Sequence, residues 1–472
     1  MVFSSNVFLI LFLPVFLICY FASPKRWRNI ILLLFSIVFY AYGAPTFILL
    51  LLGSTIINFY LVKLLYKSDN LVHRKLLAGL AIAISLGLLG YFKYANFFVD
   101  NLNAILGAIG LEPFTFAKVL LPIGISFFTF QSITYVVDAY RNVHKPMERL
   151  TDYMLYIIMF PQLIAGPIVR YCDIADEIRS REQNWSESLQ GFYRFVIGLS
   201  KKVLIADVIG RQVDTLLAGD LLTMGTGTAW ITIIAYTMQL YFDFSGYSDM
   251  AIGLGKIMGF HFPENFDNPY NSASVSEFWR RWHITLGTFM RNYLYIPLGG
   301  NRCSKPRMYF NLWVVFLLSG LWHGASWNFV IWGAYHGFWL VLERIGLGKI
   351  YEKMGKIPSV IITFLIVTIG WAIFRIENLS DAFTFVSRLF AFDFQTIIPI
   401  QSLQFFITLV IGLIFAFISL LSIGKKLQNF VFFTNFSKKQ HLAAWSASIF
   451  LLLFCLGALN AVGFSPFIYF RF

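Results

Sequence analysis

The sequence predicts an all-α, polytopic integral membrane protein, and three observations predict it. Of 472 residues, 58% are hydrophobic and 18% are aromatic. Only 13% are charged, about half the share found in soluble domains. Apolar segments follow one another along the whole chain at helix length. A soluble fold of this length could not hide so much apolar surface, because surface grows nearly as fast as volume. Disorder is excluded, since disordered chains are polar and poor in aromatics. Collagen-like and repeat architectures fail on composition and period. The mean hydropathy of +0.69 fits side chains that face lipid and each other.

The formal charge of +13 reads as topology rather than nucleic-acid binding, because no basic soluble domain exists to carry such a partner. Lys25, Arg26 and Arg28 follow the first apolar segment; Lys63, Lys67, Arg74 and Lys75 cluster at and beyond the end of the third; Arg141, Lys145 and Arg149 follow the fifth. Residues 1–6, 43–46 and 99–118 between them are neutral or nearly so. By the positive-inside rule the basic loops are cytoplasmic and the N-terminus is extracytoplasmic. The N-terminus lacks the basic start and small-residue cleavage site of a signal peptide, so residues 8–21 read as a first span kinked at Pro14. The four cysteines are far apart and form no CxxC pair, so neither a disulfide framework nor a zinc site is expected.

Taken in order, spans are predicted near 7–22, 29–42, 45–66, 76–98, 119–137, 152–169, 227–243, 307–322, 327–343, 358–374, 403–422 and 442–463. Several are shorter than the roughly 20 residues of a straight crossing and are expected to be tilted, re-entrant or buried. Residues 186–210 mix apolar positions with Arg194, Lys201, Lys202 and Asp207, as an interfacial helix would. Residues 261–306 are too polar for lipid. One transmembrane domain over 1–472 is expected, with a polar centre at 160–340 and peripheral helices at 358–472.

Ionisable groups at membrane depth are costly and point to function. Four clusters carry them. In YFDFSGYSDMAIG, Asp243, Ser245 and Asp249 close an apolar run; Ser245 and Asp249 share a helix face, and Ser245 or Asp243 would equally cap a new helix at a junction. In EFWRRWHITLGTFMRNYLYIPLGGNR, Trp279 and His283 are four apart on one helical face, as are Glu277 and Arg281. Arginines and tryptophans there suit an interfacial anchor, which does not explain His283; the basic face also suits donor phosphates. In SGLWHGASWN, Trp322 and His323 end a span, and Gly324 lets a substrate approach the imidazole. His336 lies thirteen residues on, away from that face, and is expected to support the site rather than react. In FPQLIAGPIVRY, Gln162 sits between Pro161 and Pro167, in either a discontinuous helix or a kinked span. Two histidines in a buried cavity suit general base catalysis, with burial keeping imidazole neutral. No GxSxG, HExxH or Walker motif is present.

These residues resemble a family. RRWH at 280–283, WHG at 322–324 and the YFDFSGYSD segment are similar to the membrane-bound O-acyltransferases, in the bacterial polysaccharide branch that acetylates alginate or peptidoglycan. VFSSNVFL at 2–9, LPIGISFFTF at 121–130, FPQLIAGPIVRY at 160–171, ENFDNPY at 264–270 and IPLGGNR at 296–302 fit the same branch. The resemblance implies a ring of tilted helices around a central funnel, with interfacial and re-entrant helices. It implies His323 as the catalytic histidine and His283 as its assistant. Arg280, Arg281, Trp279, Trp322, Asp243, Ser245, Asp249 and Gln162 would bind the donor or line the cavity. No permanently bound cofactor is implied. The donor would be acetyl-coenzyme A, and the acceptor a polysaccharide modified through an extracytoplasmic partner of SGNH type, at a bacterial inner membrane. D-alanyl transfer to teichoic acid from a carrier protein is the related alternative. An ion- or proton-coupled transporter is the alternative from another class, against which no inverted repeat is visible.

Overall fold

A computed structural model of the chain describes residues 1–394, 402–462 and 467. Among these the secondary structure is helical, apart from one antiparallel bridge pairing Phe266 with Trp282. Pro45–Lys67, Leu71–Ala108, Lys356–Arg375, Leu403–Leu420 and Lys438–Ala461 are long and apolar enough to cross a bilayer.

Two compact units divide the chain. The first comprises residues 1–183 with 259–263. It begins with a π-helical turn, Val7–Phe12, leading into α1 (Leu13–Ala22), then α2 (Arg28–Gly43), α3 (Ile48–Lys67) and α4 (Leu71–Ala108). Phe8, Phe12 and Phe16 pack on Phe160, which binds the N-terminal helix to the interior of the unit. Helix α4 exceeds the predicted 76–98 at both ends. Its 38 residues run about 57 Å, nearly twice an apolar bilayer core. Asn70 caps its start by accepting from the Val72 and His73 amides.

The predicted span 119–137 starts late, because Pro122 offers no N–H and Gly124 is left-handed (φ 77°); α5 covers Ile125–Tyr140. Residues 111–122 are non-helical, and two side chains of α4 hold their backbone. Asn96 bonds both the amide (3.0 Å) and the carbonyl (2.8 Å) of Val119, and Asn103 does the same for Phe114. The span 152–169 is discontinuous: α6 (Leu150–Ile158), α7 (Phe160–Leu163) and then non-helical chain to α8 (Tyr171–Arg179). Pro161 and Pro167, with Gly166 at φ 99°, prevent one helix from continuing.

The second unit comprises 184–258 and 264–472. Helix α9 (Trp185–Ser200), a π-helical turn (Lys201–Ala206) and α10 (Asp207–Leu217) form one uninterrupted run against α11 (Thr226–Ile257). One face of this run, part of which (186–210) was expected to be interfacial, is buried against α11. Glycines allow the contact. A Cβ on Gly191, Gly198, Gly246 or Gly253 would lie 2.5 to 2.7 Å from the opposing backbone carbonyl, so only glycine fits at these crossings. Helix α11 passes unbroken through YFDFSGYSD, so the helix junction expected there, with Ser245 or Asp243 as its cap, does not form.

Beyond it lie α12 (Val275–Arg281), α13 (Ile284–Phe289), α14 (Lys305–His323), α15 (Trp327–Leu342), α16 (Gly348–Met354), α17 (Lys356–Arg375), α18 (Leu379–Leu389), α19 (Leu403–Phe417), α20 (Ser422–Phe433) and α21 (Lys438–Val462). Helices α14 and α15 cross as closely as α9 and α11: a Cβ on Gly320 would meet the Phe329 carbonyl at 2.2 Å, and one on Gly333 the Phe316 carbonyl at 2.4 Å. That crossing fixes where the end of α14, and so His323, sits.

Candidate functional site

The site assembles within the second unit, around His283. Helix α12 stops at Arg281, and Trp282 is extended where it pairs with Phe266. The Asp267 amide donates to the Arg281 carbonyl (3.0 Å), and the Ile284 amide to the Asn265 carbonyl (3.0 Å). His283 then takes a left-handed conformation, φ 46° and ψ 54°. This is uncommon for a side chain of its size and is held by that pairing. The expectation that Trp279 and His283 share a helix face therefore fails, whereas Glu277 and Arg281 do pair at 2.7 Å.

Asn265 fixes the imidazole. Its Oδ1 lies 3.0 Å from His283 Nδ1, 2.9 Å from Thr285 Oγ1 and 3.4 Å from the Thr285 amide. A backbone amide can only donate, so that atom is the amide oxygen, and Nδ1 carries the proton that points at it. His283 Nε2 is left as the basic nitrogen. Asn265 Nδ2 donates in turn to Ser248 Oγ on α11 (3.0 Å). The ring lies edge-on to Phe244 at 4.7 Å and 5.9 Å from the Trp322 ring. Burial pushes its imidazole far below its ordinary value, to about 3, so it stays neutral at physiological pH.

His323 is the last residue of α14 and is buried. Aromatic rings wall it: Trp322 at 4.9 Å, Trp332 at 5.1 Å and Phe374 at 5.2 Å. Trp322 thus touches both His283 and His323. His336, on α15, packs edge-to-face with Trp279 and Trp332, each at 5.0 Å. Neither nitrogen of His336 has a hydrogen-bond partner among the described residues. Trp279 accordingly lies against His336 and not beside His283.

The acidic residues of α11 form ion pairs. Asp243 meets Lys202 at 2.9 Å, and Lys202 also meets Asp207 at 2.5 Å. Asp249 accepts from Arg194 (2.8 Å) and Lys201 (2.6 Å), and Arg194 bridges on to Glu264 (2.5 Å). All four cations or acids beside Asp243 and Asp249 on the helical run 185–217 were missed as partners. The spacing of Arg194, Lys201 and Lys202 on one amphipathic run was the available signal. Ser245 is buried on α11. Arg281 is held by Glu277, whereas Arg280, Arg291 and Arg302 are exposed. Gln162 belongs to the first unit, fully buried, with Nε2 donating to the Tyr156 carbonyl (2.6 Å). A separate cleft of about 420 Å³, lined by Ser274, Ser276, Glu343, Arg344, Tyr351 and Lys356, includes none of the predicted site residues.

Asn265 is the candidate site residue that sequence reasoning overlooked. It lies in the ENFDNPY segment, but nothing in the sequence joins it to a histidine eighteen positions away. In chemical terms the arrangement offers two buried imidazoles against one indole, one of them with a fixed tautomer.

Residues 6–350 match the model of the membrane-bound O-acyltransferase family. The chain is 49% identical to a probable alginate O-acetylase of Pseudomonas aeruginosa, over 83% of this chain and 75% of that one. It is 44% identical to a probable alginate O-acetylase of Pseudomonas putida over the full length of both. It is 37% identical to a peptidoglycan O-acetyltransferase of Helicobacter pylori, over 81% of this chain and 78% of that one.

Proposed function

From the premise that the chain belongs to the membrane-bound O-acyltransferase family, and is therefore a membrane-embedded acyltransferase, we propose that it moves an acetyl group from cytoplasmic acetyl-coenzyme A for O-acetylation of an extracytoplasmic polysaccharide. Relatives named for alginate and for peptidoglycan both support acetyl as the group transferred. The proposed setting is a bacterial inner membrane with the N-terminus outside, which the alternation of basic and neutral loops supports. The proposed recipient is a partner of SGNH type that passes the group to the polymer.

The observation that carries the mechanism is the placement of two buried histidines against Trp322, with His283 locked by Asn265. In the proposed reaction the acceptor hydroxyl attacks the thioester carbonyl carbon. His323 takes the hydroxyl proton as the new C–O bond forms; the C–S bond then breaks, and the leaving thiolate recovers a proton. His283, with Nδ1 held by Asn265 and Nε2 left basic, is the proposed second acceptor. The exposed guanidiniums of Arg280, Arg291 and Arg302 are the proposed attraction for the donor phosphates, since Arg281 is already engaged by Glu277.

Purified protein in liposomes, supplied with labelled acetyl-coenzyme A and an acceptor polysaccharide or its partner, tests this reading. His323-dependent thioester cleavage and label transfer are expected. Undiminished transfer by His323→Ala would remove the central role given to this residue, and ion flux without thioester cleavage would point to a transporter.

A further inference from the structure

Helix α20 and the first turn of α21 lie beyond the family match, which ends at residue 350. Residues 402–472 contain no Asp or Glu. They carry Lys425, Lys426, Lys438 and Lys439, all four exposed, and none has a carboxylate partner among the described residues. An uncompensated cluster of this kind attracts anions to this end of the protein.

The shape of α20 says which. Its 12 residues span about 18 Å, too short to cross a bilayer. Ile423, Leu427 and Phe430, at spacing i, i+4, i+7, form one outward stripe and are 68%, 48% and 42% exposed. Lys426 lies on the edge of that stripe, whereas Lys425, also exposed, falls on the other side of the helix near Phe432. The opposite face is fastened to the protein. Gln428 accepts from Asn268 Nδ2 (2.7 Å), and Phe432 lies under the cations of Arg194 (5.1 Å) and Lys201 (5.8 Å). The turn after it is fixed as well: Gln190 donates to the Thr434 carbonyl (3.1 Å), and His441 bonds Ser186 (2.8 Å). An outward apolar stripe edged by Lys426, with Lys438 and Lys439 close after it in the chain, on a helix fastened from behind, is built to lie in the plane of a membrane surface. The stripe enters the acyl boundary and the ammonium groups reach headgroup phosphates.

We propose that α20 and the start of α21 form a binding site for anionic phospholipid headgroups, of the phosphatidylglycerol class, in the cytoplasmic leaflet. Sign and side agree, because clustered lysines flanking a span mark the cytoplasmic face. The site also reaches the catalytic region. Asn268, which holds Gln428, lies three residues from Asn265, and Asn271 donates to Ser419 just before α20. Headgroup binding would thereby brace the loop that orients His283.

The test uses full-length protein in nanodiscs of zwitterionic lipid doped with either a photoactivatable phosphatidylglycerol or the matching phosphatidylcholine, followed by peptide mapping. Labelling of residues 421–439 by the anionic probe is expected to exceed that by the zwitterionic probe roughly tenfold, and to fall to the zwitterionic level when all four lysines become Gln. Equal labelling by both probes would show an apolar contact without headgroup selectivity and would overturn the proposal. Unchanged selectivity in the four-lysine variant, or no labelling of 421–439, would overturn it too. The comparison of probes on the unaltered protein decides the matter even if the variant fails to fold. None of these readouts depends on acetyl transfer, so failure here leaves the proposed reaction standing.

Discussion

His283 and His336 are both buried histidines of the second unit, and they are held by opposite means. A polar clamp positions His283: Asn265 receives its Nδ1 proton, receives two donors from Thr285, and anchors to Ser248 on α11. Packing alone positions His336, between Trp279 and Trp332. His323 lies between these extremes, at a helix end inside an aromatic wall. The difference teaches how to separate a histidine kept for its nitrogens from one kept for its ring. A hydrogen bond to one ring nitrogen sets which nitrogen carries the proton, as Asn265 does for His283. A packing imidazole needs only shape.

The largest effect is expected at His323. Removing a general base costs about 10²- to 10⁴-fold in rate. His323→Ala should therefore reduce acetyl transfer by that factor in reconstituted vesicles while leaving the melting temperature within a few degrees. A variant with more than a tenth of normal activity would move the base elsewhere. Next in size is the helix crossing that supports the clamp. Gly198→Leu forces a side chain into the Gly246 carbonyl and must push α9 from α11, at a cost of about 3 kcal/mol. The expected signature is a lowered melting temperature together with weakened activity, since Ser248 and Asp249 ride on α11. A variant as stable as the parent would show that the crossing is looser than described.

Asn265→Leu sharpens the comparison directly. It removes the acceptor for His283 Nδ1 and leaves that N–H and the Thr285 donors in an apolar setting, at about 1–3 kcal/mol. Activity should fall about 10- to 100-fold, by analogy with lost orienting partners at other sites. Asn265→Asp keeps an acceptor and should recover much of that loss. Equal loss in both variants would mean that Asn265 holds the loop and not the imidazole.

The clamp also predicts a dependence on pH. The folded value of His283 is lowered to about 3, from about 6.5 in the unfolded chain. Between those values the unfolded chain binds a proton that the folded chain refuses. Stability is therefore complete above pH 6.5 and declines as the pH falls toward 3. The melting temperature of the parent should drop on acidification through this window more steeply than that of His283→Gln. Parallel curves would show that this imidazole is not shielded.

Most of the fold is visible in residue chemistry, and the site is half visible. Long apolar runs mark spans whatever packs on them, so α3, α17 and α19 appear where hydropathy puts them. Helix α5 starts late because Pro122 and Gly124 act locally, which a hydropathy window averages away. His323 is legible because an imidazole is costly in an apolar segment. The Asn265–His283 clamp is not, because it depends on a two-residue antiparallel pairing within a helical protein. The glycine crossing was legible in principle: Gly191 and Gly198 on one helix, and Gly246 and Gly253 on the other, keep the same seven-residue spacing.

The smallest effect is expected at His336, and it is the sharpest test of the contrast. His336→Leu removes two ring nitrogens that have no hydrogen-bond partner among the described residues, which relieves about 1–3 kcal/mol of burial cost. It also removes edge-to-face contacts with Trp279 and Trp332, worth about 0.5–1.5 kcal/mol each. The side-chain volumes are close, and the ring's Nε2 already presses on α17, where a Cβ on Gly370 would come within 2.8 Å, so no large cavity opens. These opposing terms nearly cancel, which leaves stability within about 1 kcal/mol of the parent and transfer activity within about threefold. Thermal melts and initial rates in the same vesicles measure both. A loss near that of His323→Ala, with the melting temperature unchanged, would show that the ring nitrogens of His336 take part in the reaction and that packing alone does not account for this histidine.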